Sequence, residues 1–245
     1  MYRIDPVNGT FSVLMNKPEQ IFNISFSHDG QVFAFTARNG DQLTDVYITA
    51  LSGEPRLITE MNDQIKDWKV ARSEVITWKS KDGAVIEGIL HKPYDYDPTK
   101  KYPLMVVIHG GPTGIDTPTP VPGGGVYPLL QWLDKGCLIL RPNYRGSAGY
   151  GESFRSLNVK NLGVGDMWDI VSGIEHLDKH GIIDKNKMGC MGWSQGGYIS
   201  AFLTTNSNLF RAISVGAGIS DWMTYYVNTD IHPFTLQYLK AMPWT

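Results

Sequence analysis

The feature that most constrains the fold is a set of short apolar runs in the second part of the chain. Each run lacks the polar alternation of a half-exposed strand; the runs are Leu104–Ile108, Cys137–Leu140, Met188–Met191 and Ala212–Val215. Runs of this kind are typical of strands buried on both faces of a sheet. Helical or loop-like sequence separates them, and strands that alternate with helices form a mostly parallel sheet. The sequence therefore predicts an α/β fold.

The segments between these runs carry the spacing of helices. In Asp166–His180, apolar residues recur every three or four positions, and Gly181 follows as a helix stop. Helices are also predicted for Val126–Lys135 and Gly197–Asn206. These helices would cover both faces of the predicted sheet.

The first part of the chain has a different pattern, made of short alternating strands and turns. Four strands are predicted, at Phe22–Phe26, Gln31–Thr36, Asp45–Leu51 and Pro55–Thr59. A turn at Asp29-Gly30 joins the first two as a hairpin. Strands at this spacing suggest a blade of a β-propeller, and one or two blades cannot close such a ring.

The sequence Gly192-Trp-Ser194-Gln-Gly196-Gly lies between the predicted strand at Met188–Met191 and the following helix. It matches G-x-S-x-G, the sharp strand-to-helix turn of α/β-hydrolases. Such a turn strains the serine backbone and leaves no room for side chains at positions 192 and 196. It predicts Ser194 as a nucleophile and directs the N–H of Gln195 at a developing oxyanion. The alternative is a glycine-rich turn with an idle serine.

A second glycine-rich turn, His109-Gly110-Gly111-Pro112, directly follows the run at Leu104–Ile108. In α/β-hydrolases a turn at this place supplies the other N–H of the oxyanion hole. Glycine lets the backbone approach a substrate carbonyl closely. The alternative is an ordinary turn after a strand. The two motifs occur in the chain order that the fold requires.

Three segments together resemble the prolyl oligopeptidase family, in its acylaminoacyl-peptidase and dipeptidyl-peptidase-like branch; they are residues 102–112, 141–151 and 192–197. The resemblance implies Ser194 as nucleophile and the backbone N–H groups of Gly111 and Gln195 as the oxyanion hole. It also implies a short-peptide substrate and a propeller that guards the active site. We therefore expect residues 1–70 to be a remnant of an N-terminal β-propeller, about its last blade. Residues 71–245 are expected to be a partial α/β-hydrolase catalytic domain, incomplete at its C-terminal side.

The residues after Ser194 offer a poor choice of catalytic acid and base. They contain one histidine, His232, and two aspartates, Asp221 and Asp230, with no strand predicted between Asp221 and His232. In this fold the acid and the histidine each follow a separate later strand, so we disfavour a Ser194–Asp221–His232 triad. We expect a fragment truncated at both ends and inactive alone, with the acid and histidine beyond Thr245.

Composition excludes several other functions. A formal net charge of −2 gives no electrostatic reason to bind nucleic acid or an anionic membrane. No apolar stretch reaches the length of a membrane span. Cys137 and Cys190 lie in apolar runs, which indicates buried free thiols and a reducing, cytoplasmic compartment. The sequence leaves a homo-oligomer open.

No cofactor is implied. His176 and His180 share a predicted helix face, but the segment lacks the Glu of H-E-x-x-H, so we expect no metal there. Arg145 and Asp169 are predicted to be structural partners rather than catalysts. The main interpretation is thus a serine peptidase that forms an acyl-enzyme on Ser194. A carboxylesterase or lipase of the same fold, and a non-catalytic scaffold or binding module, are the alternatives.

Overall fold

The computed structural model of the protein describes residues 1–40, 42–122 and 126–244. The chain divides into two compact units. The first comprises Met1–Ser73 and Pro118–Pro122, and the second comprises Glu74–Thr117 and Gly123–Thr245.

The first unit contains two antiparallel sheets. A two-stranded sheet pairs β1 (Tyr2–Ile4) with β2 (Phe11–Val13), which the sequence did not predict. The four predicted strands form the second sheet in chain order, as β3 (Gln20–Phe26), β4 (Val32–Arg38), β5 (Asp45–Ala50) and β6 (Arg56–Leu57). A four-stranded antiparallel meander is the form of a propeller blade. Its buried centre is Phe33, Phe35 and Ala37.

The second unit is built on a six-stranded sheet with the strand order β12-β11-β9-β10-β8-β7. Strands β9 to β12 run parallel, and β8 runs antiparallel to β10. The predicted apolar runs lie in these strands, except that Cys137 precedes β10. The strand bounds are β7 Arg72–Lys79, β8 Val85–Lys92, β9 Tyr102–Ile108, β10 Leu138–Asn143, β11 Ile183–Trp193 and β12 Ala212–Gly216. The predicted α/β-hydrolase type of sheet is confirmed.

Six α-helices occur in the described residues; they are α1 Leu129–Asp134, α2 Glu152–Arg155, α3 Gly165–Lys179, α4 Gln195–Asn206, α5 Trp222–Asn228 and α6 His232–Leu239. Short 3₁₀ turns occupy Met61–Gln64 and Ser156–Asn158. Helix α1 is shorter than the predicted 126–135, since its N-cap is Pro128. Helices α5 and α6 were not predicted.

The core of the second unit lies where α3 and α4 cover the central strands. Leu138 and Leu140 of β10 join a cluster with Ile170 of α3 and Ile199 of α4. Ile139 points to the opposite face of the sheet and is also fully buried. Burial on both faces explains why this run lacks polar alternation. Cys137 and Cys190 are both buried and free, as predicted.

Arg145 occupies the centre of a buried ionic cluster. Its guanidinium donates hydrogen bonds to the carboxylates of Asp169 and Asp82 at 2.8–3.0 Å and to Ser80 Oγ at 3.2 Å. The side chains of Arg145 and Asp169 are 2 % and 0 % exposed. The structural role predicted for both residues is therefore confirmed.

A third carboxylate, that of Asp166, lies in the same region without a cation of its own. It is 0 % exposed and accepts hydrogen bonds from the backbone N–H groups of Gly163 and Met167. Burial, together with the negative charge of Asp169, raises the pKa of Asp166 to about 7. The folded protein therefore holds a proton at Asp166 through a pH range in which the unfolded chain releases it.

We predict that Asp166→Asn abolishes a loss of stability that the wild type undergoes as pH rises. Because the folded-state pKa is raised, wild-type stability falls as pH rises from about 4 to about 7, and the amide does not titrate. At every pH the amide costs one hydrogen bond, about 1–3 kcal/mol, because both carboxylate oxygens accept backbone N–H groups and the Nδ2 group of asparagine can only donate. Each pKa unit corresponds to about 1.4 kcal/mol, so the free energy of unfolding of the variant relative to wild type should rise by roughly 2–4 kcal/mol between about pH 4 and about pH 8. Urea unfolding followed by circular dichroism across this range measures the difference.

Asp178→Asn is the matched control, since it removes a carboxylate from the exposed end of the same helix, where it pairs with Lys185. A surface pair of this kind should change stability by less than about 1 kcal/mol. A difference between Asp166→Asn and wild type that does not vary with pH would contradict the prediction.

Candidate active site

Ser194 lies in the sharp turn between β11 and α4. Its backbone angles are φ 57° and ψ −118°, a region that non-glycine residues rarely adopt. The N–H of Ser194 donates to Gly216 O at 2.9 Å, and the N–H of Tyr198 donates to Ser194 O at 3.0 Å. The neighbouring strand and the first turn of α4 thus hold the strained residue in place.

The glycines around Ser194 are required by close backbone contacts. A Cβ atom on Gly192 would lie 2.2 Å from Gly196 O, and one on Gly196 would lie 2.1 Å from Ile108 O. Both distances are far shorter than any contact that a side-chain carbon tolerates. The end of β9 therefore packs directly against the turn, which agrees with the small residues that the sequence motif demands.

The glycine-rich turn after β9 approaches Ser194 equally closely. A Cβ atom on Gly110 would lie 2.9 Å from Trp193 O and 3.2 Å from Ser194 Cβ. Gly111 has φ +132°, and a Cβ there would lie 2.3 Å from Thr113 N. Neither the N–H of Gly111 nor that of Gln195 donates to an acceptor within the described residues. The turn thus lies against Ser194 at Gly110 and leaves the N–H groups of Gly111 and Gln195 without an acceptor among the described residues.

His109 precedes this turn but is engaged away from Ser194. Its Nε2 lies 3.0 Å from Ser147 Oγ, and its ring stacks on Tyr144 with 4.5 Å between centroids. Burial lowers the pKa of His109 and favours the neutral ring. The side chain fixes the loop rather than serving Ser194 as a base.

The other sequence candidates for acid and base have structural contacts of their own. Asp221 caps α5, since its carboxylate accepts the N–H of Thr224 at 2.6 Å. His232 begins α6, with its ring edge-on to Tyr226 at 5.1 Å. In the part of the chain that the structure describes, Ser194 Oγ has no hydrogen-bond partner. The Ser194–Asp221–His232 triad is not assembled, in line with the sequence argument against it.

An aromatic cluster that the sequence analysis missed follows the turn. Trp222 lies 5.2 Å from Tyr198 and 5.8 Å from Tyr225, between ring centroids, and stacks on Phe234. These rings come from α4, α5 and α6, so the cluster forms only when the three helices pack. The signal that could have found it is the spacing of Trp222 and Tyr225 after Asp221, a helix cap followed by residues on one face.

A cavity of about 280 Å³ lies beside the turn, at the carboxyl ends of β9 and β11. Val107, Ile108 and Trp193 give it apolar walls, and the ion pair of Asp116 with Arg141 forms a polar edge. In open α/β sheets, ligands bind at the carboxyl ends of the strands. The cavity is therefore on the side of the sheet where a substrate of Ser194 would bind.

Among residues 1–40, 42–122 and 126–244, no three His, Cys, Asp or Glu side chains are grouped so as to hold a metal ion. The helices of these same residues are all too short or too polar to cross a bilayer.

The sheet and the strained serine turn define the class of the second unit as an α/β-hydrolase fold. Solved structures agree with this class. An acylaminoacyl peptidase from Pyrococcus horikoshii is 28% identical with a TM-score of 0.78, and the match covers 91% of this chain and 35% of that one. A putative dipeptidyl aminopeptidase IV from Bacteroides ovatus, 22% identical, has the same fold with a TM-score of 0.82, over 98% of this chain and 34% of that one.

The sequence profile of the prolyl oligopeptidase family matches residues 127–244 of the chain. The resemblance that the three motif segments carry is thereby confirmed. The "Uncharacterized peptidase YuxL" of Bacillus subtilis is 28% identical over 93% of this chain and 34% of its own length. Human dipeptidyl peptidase 8 is 31% identical over 62% of this chain and 17% of its own length. The chain thus spans about a third or less of these relatives.

We predict that Gly196→Ala disrupts the turn and lowers the free energy of unfolding by at least about 3 kcal/mol, because the new methyl group would collide with a strand carbonyl. Gly181→Ala is the matched control. Gly181 has a positive φ, 73°, unlike Gly196, and a Cβ there meets nothing within 4 Å, so it reports the cost of backbone strain without a collision, and we expect a loss of about 1 kcal/mol. Urea unfolding of both variants tests the contact, and a loss for Gly196→Ala no larger than that for Gly181→Ala would contradict the predicted collision.

Proposed function

We propose that Ser194 is the nucleophile of a serine peptidase that acts on short peptides. The observation that carries the proposal is the contact of the Gly110–Gly111 turn with the strained Ser194. Gly110 lies against Ser194, and the N–H groups of the neighbouring residues Gly111 and Gln195 have no acceptor among the described residues, which supports a role for both as the oxyanion hole. Backbone donors held in place before the reaction lower the barrier to acyl transfer, since they need no reorganisation when charge develops.

In the proposed mechanism, Ser194 Oγ attacks the carbonyl carbon of the scissile peptide bond. The carbonyl oxygen becomes an oxyanion and accepts hydrogen bonds from the N–H groups of Gly111 and Gln195. A general base takes the Ser194 proton and passes it to the amine that leaves. Water then hydrolyses the acyl-enzyme by the same route. This base must lie outside the described residues or reach Ser194 by a rearrangement, because His109 and His232 have other contacts.

The substrate class rests on the relatives. Two of them are named acylaminoacyl peptidase and dipeptidyl peptidase, and both names denote enzymes that act near the amino end of a peptide. The antiparallel four-stranded sheet of the first unit has the form of a propeller blade, and a propeller would allow only small substrates to reach the active site. The second candidate function is a non-catalytic binding module, which the unpartnered Ser194 Oγ favours for residues 1–245 alone.

Labelling with a fluorophosphonate probe tests the nucleophile. We expect the product of the complete open reading frame to react at Ser194, and we expect Ser194→Ala to abolish the reaction. Residues 1–245 alone should react poorly, because an unactivated hydroxyl is a weak nucleophile. Failure of the complete product to react would refute the proposal. Rapid reaction of residues 1–245 would place the base within the chain, with His232→Ala the next variant to make.

Substrate comparison tests the kind of bond that is cleaved. We expect hydrolysis of an aminoacyl-anilide, which has the more stable bond, as well as of a p-nitrophenyl ester of matched acyl chain length. A protein that hydrolyses only the ester would be a carboxylesterase on the same fold.

A further inference from the structure

We propose that Asn143 is a positioning residue for the oxyanion hole: its carboxamide anchors Asp116, at the far end of the loop after β9, and thereby holds the Gly111 N–H against Ser194. The inference rests on the proposed role of Ser194. Asn143 lies in residues 141–151, the second of the three segments that resemble the prolyl oligopeptidase family, but it does not touch Ser194.

The contact between Asn143 and Asp116 is a double hydrogen bond. Asn143 Oδ1 accepts the N–H of Asp116 at 2.7 Å, and Asn143 Nδ2 donates to Asp116 O at 2.8 Å. One side chain thus satisfies both backbone groups of one residue, as a neighbouring strand would. Asn143 is 2 % exposed, so water cannot compete for these bonds.

The side chain of Asp116 is held from the same strand. Arg141, two residues before Asn143 in β10 and hence on the same face, forms an ion pair with the Asp116 carboxylate. This contact leaves Asp116 Oδ2 and Arg141 Nε without partners among the described residues. We call the two hydrogen bonds between the Asn143 carboxamide and the Asp116 backbone the clamp. In the clamp both backbone groups of Asp116 have a partner, and the ion pair adds to it.

The glycines in the loop need such an anchor. Gly110 and Gly111 have no side chains to pack, and glycine has more backbone freedom to lose than any other residue. Their position depends on what holds the loop on either side of them. On the near side, Tyr144 Oη donates to His109 O at 3.0 Å. On the far side, Ala148 N donates to Gly114 O at 3.2 Å, and Asn143 holds Asp116.

Asn143→Asp is the test variant, because it keeps the shape of the side chain but replaces the Nδ2 donor with an oxygen that faces Asp116 O. We expect kcat for the anilide to fall about ten-fold or more while KM changes by less than about two-fold, since the oxyanion forms only after substrate binds. Affinity for a peptide boronate, which mimics the tetrahedral intermediate, should fall in parallel with kcat. These assays use the product of the complete open reading frame.

Asn206→Asp is the matched control. Asn206 is exposed at the end of α4, and its Nδ2 also donates to a backbone carbonyl, Phe202 O, at 2.9 Å. It should leave kcat, KM and boronate affinity unchanged. If Asn143→Asp does not fold, Asn143→Ser replaces it, since serine removes the clamp without adding a charge.

Amide hydrogen exchange provides a readout that does not need activity. In residues 1–245, we expect Asn143→Asp to speed exchange in the peptide that covers residues 109–117 and to leave α3 protected. Unchanged exchange in this loop overturns the inference, and so does faster exchange with an unaltered kcat. If the wild type does not react with the fluorophosphonate, the proposed function fails, and the exchange result alone decides whether Asn143 holds the loop.

Discussion

The candidate site depends on one close backbone contact, between the end of β9 and the turn at Ser194. Gly196 permits it, since any side chain there would lie within 2.1 Å of Ile108 O. The contact joins two motifs that are about eighty residues apart in the chain, and it is why both must be rich in glycine. Without it, the turn after β9 could not lie near Ser194, and the two N–H groups of the oxyanion hole could not act on one substrate oxygen.

Residues 141–151 support the contact between β9 and the Ser194 turn, because they bind the loop that follows β9. Asn143 and Ala148 bind the loop after β9, whereas Arg145 pairs with Asp169 in the core and with Asp82 at the surface. Residues 141–151 therefore connect the ionic cluster around Arg145 to the glycine-rich loop after β9. A buried ion pair adds little net stability, because desolvation offsets the attraction. In this cluster the Arg145 guanidinium donates to the side chains of Asp169, Asp82 and Ser80, which fixes its orientation.

The sequence predicted what is local and periodic. The parallel strands were found because their apolar runs are continuous, and the Ser194 turn because its glycines and its serine are adjacent. The clamp of Asn143 on Asp116 was not predictable, since the residues are 27 positions apart and meet only through the register of β10. The aromatic cluster around Trp222 was missed for the same reason. Asp221 was considered as a catalytic acid, but its distance from any later strand and its place before Trp222 are those of a helix cap.

The two halves of the proposed catalytic machinery have different physical origins. The proposed oxyanion hole consists of backbone N–H groups, next to residues that the sheet, the turn and the Asn143 hydrogen bonds hold within residues 108–196. The proposed base is a side chain, and His109 and His232 already have contacts of their own, with Ser147 and Tyr226. A preorganised oxyanion hole can accept the carbonyl oxygen of a bound peptide without any base, so peptide binding and the reaction of Ser194 are separable properties. Residues 1–245 should therefore retain weak affinity for a substrate peptide even when they react poorly with the fluorophosphonate.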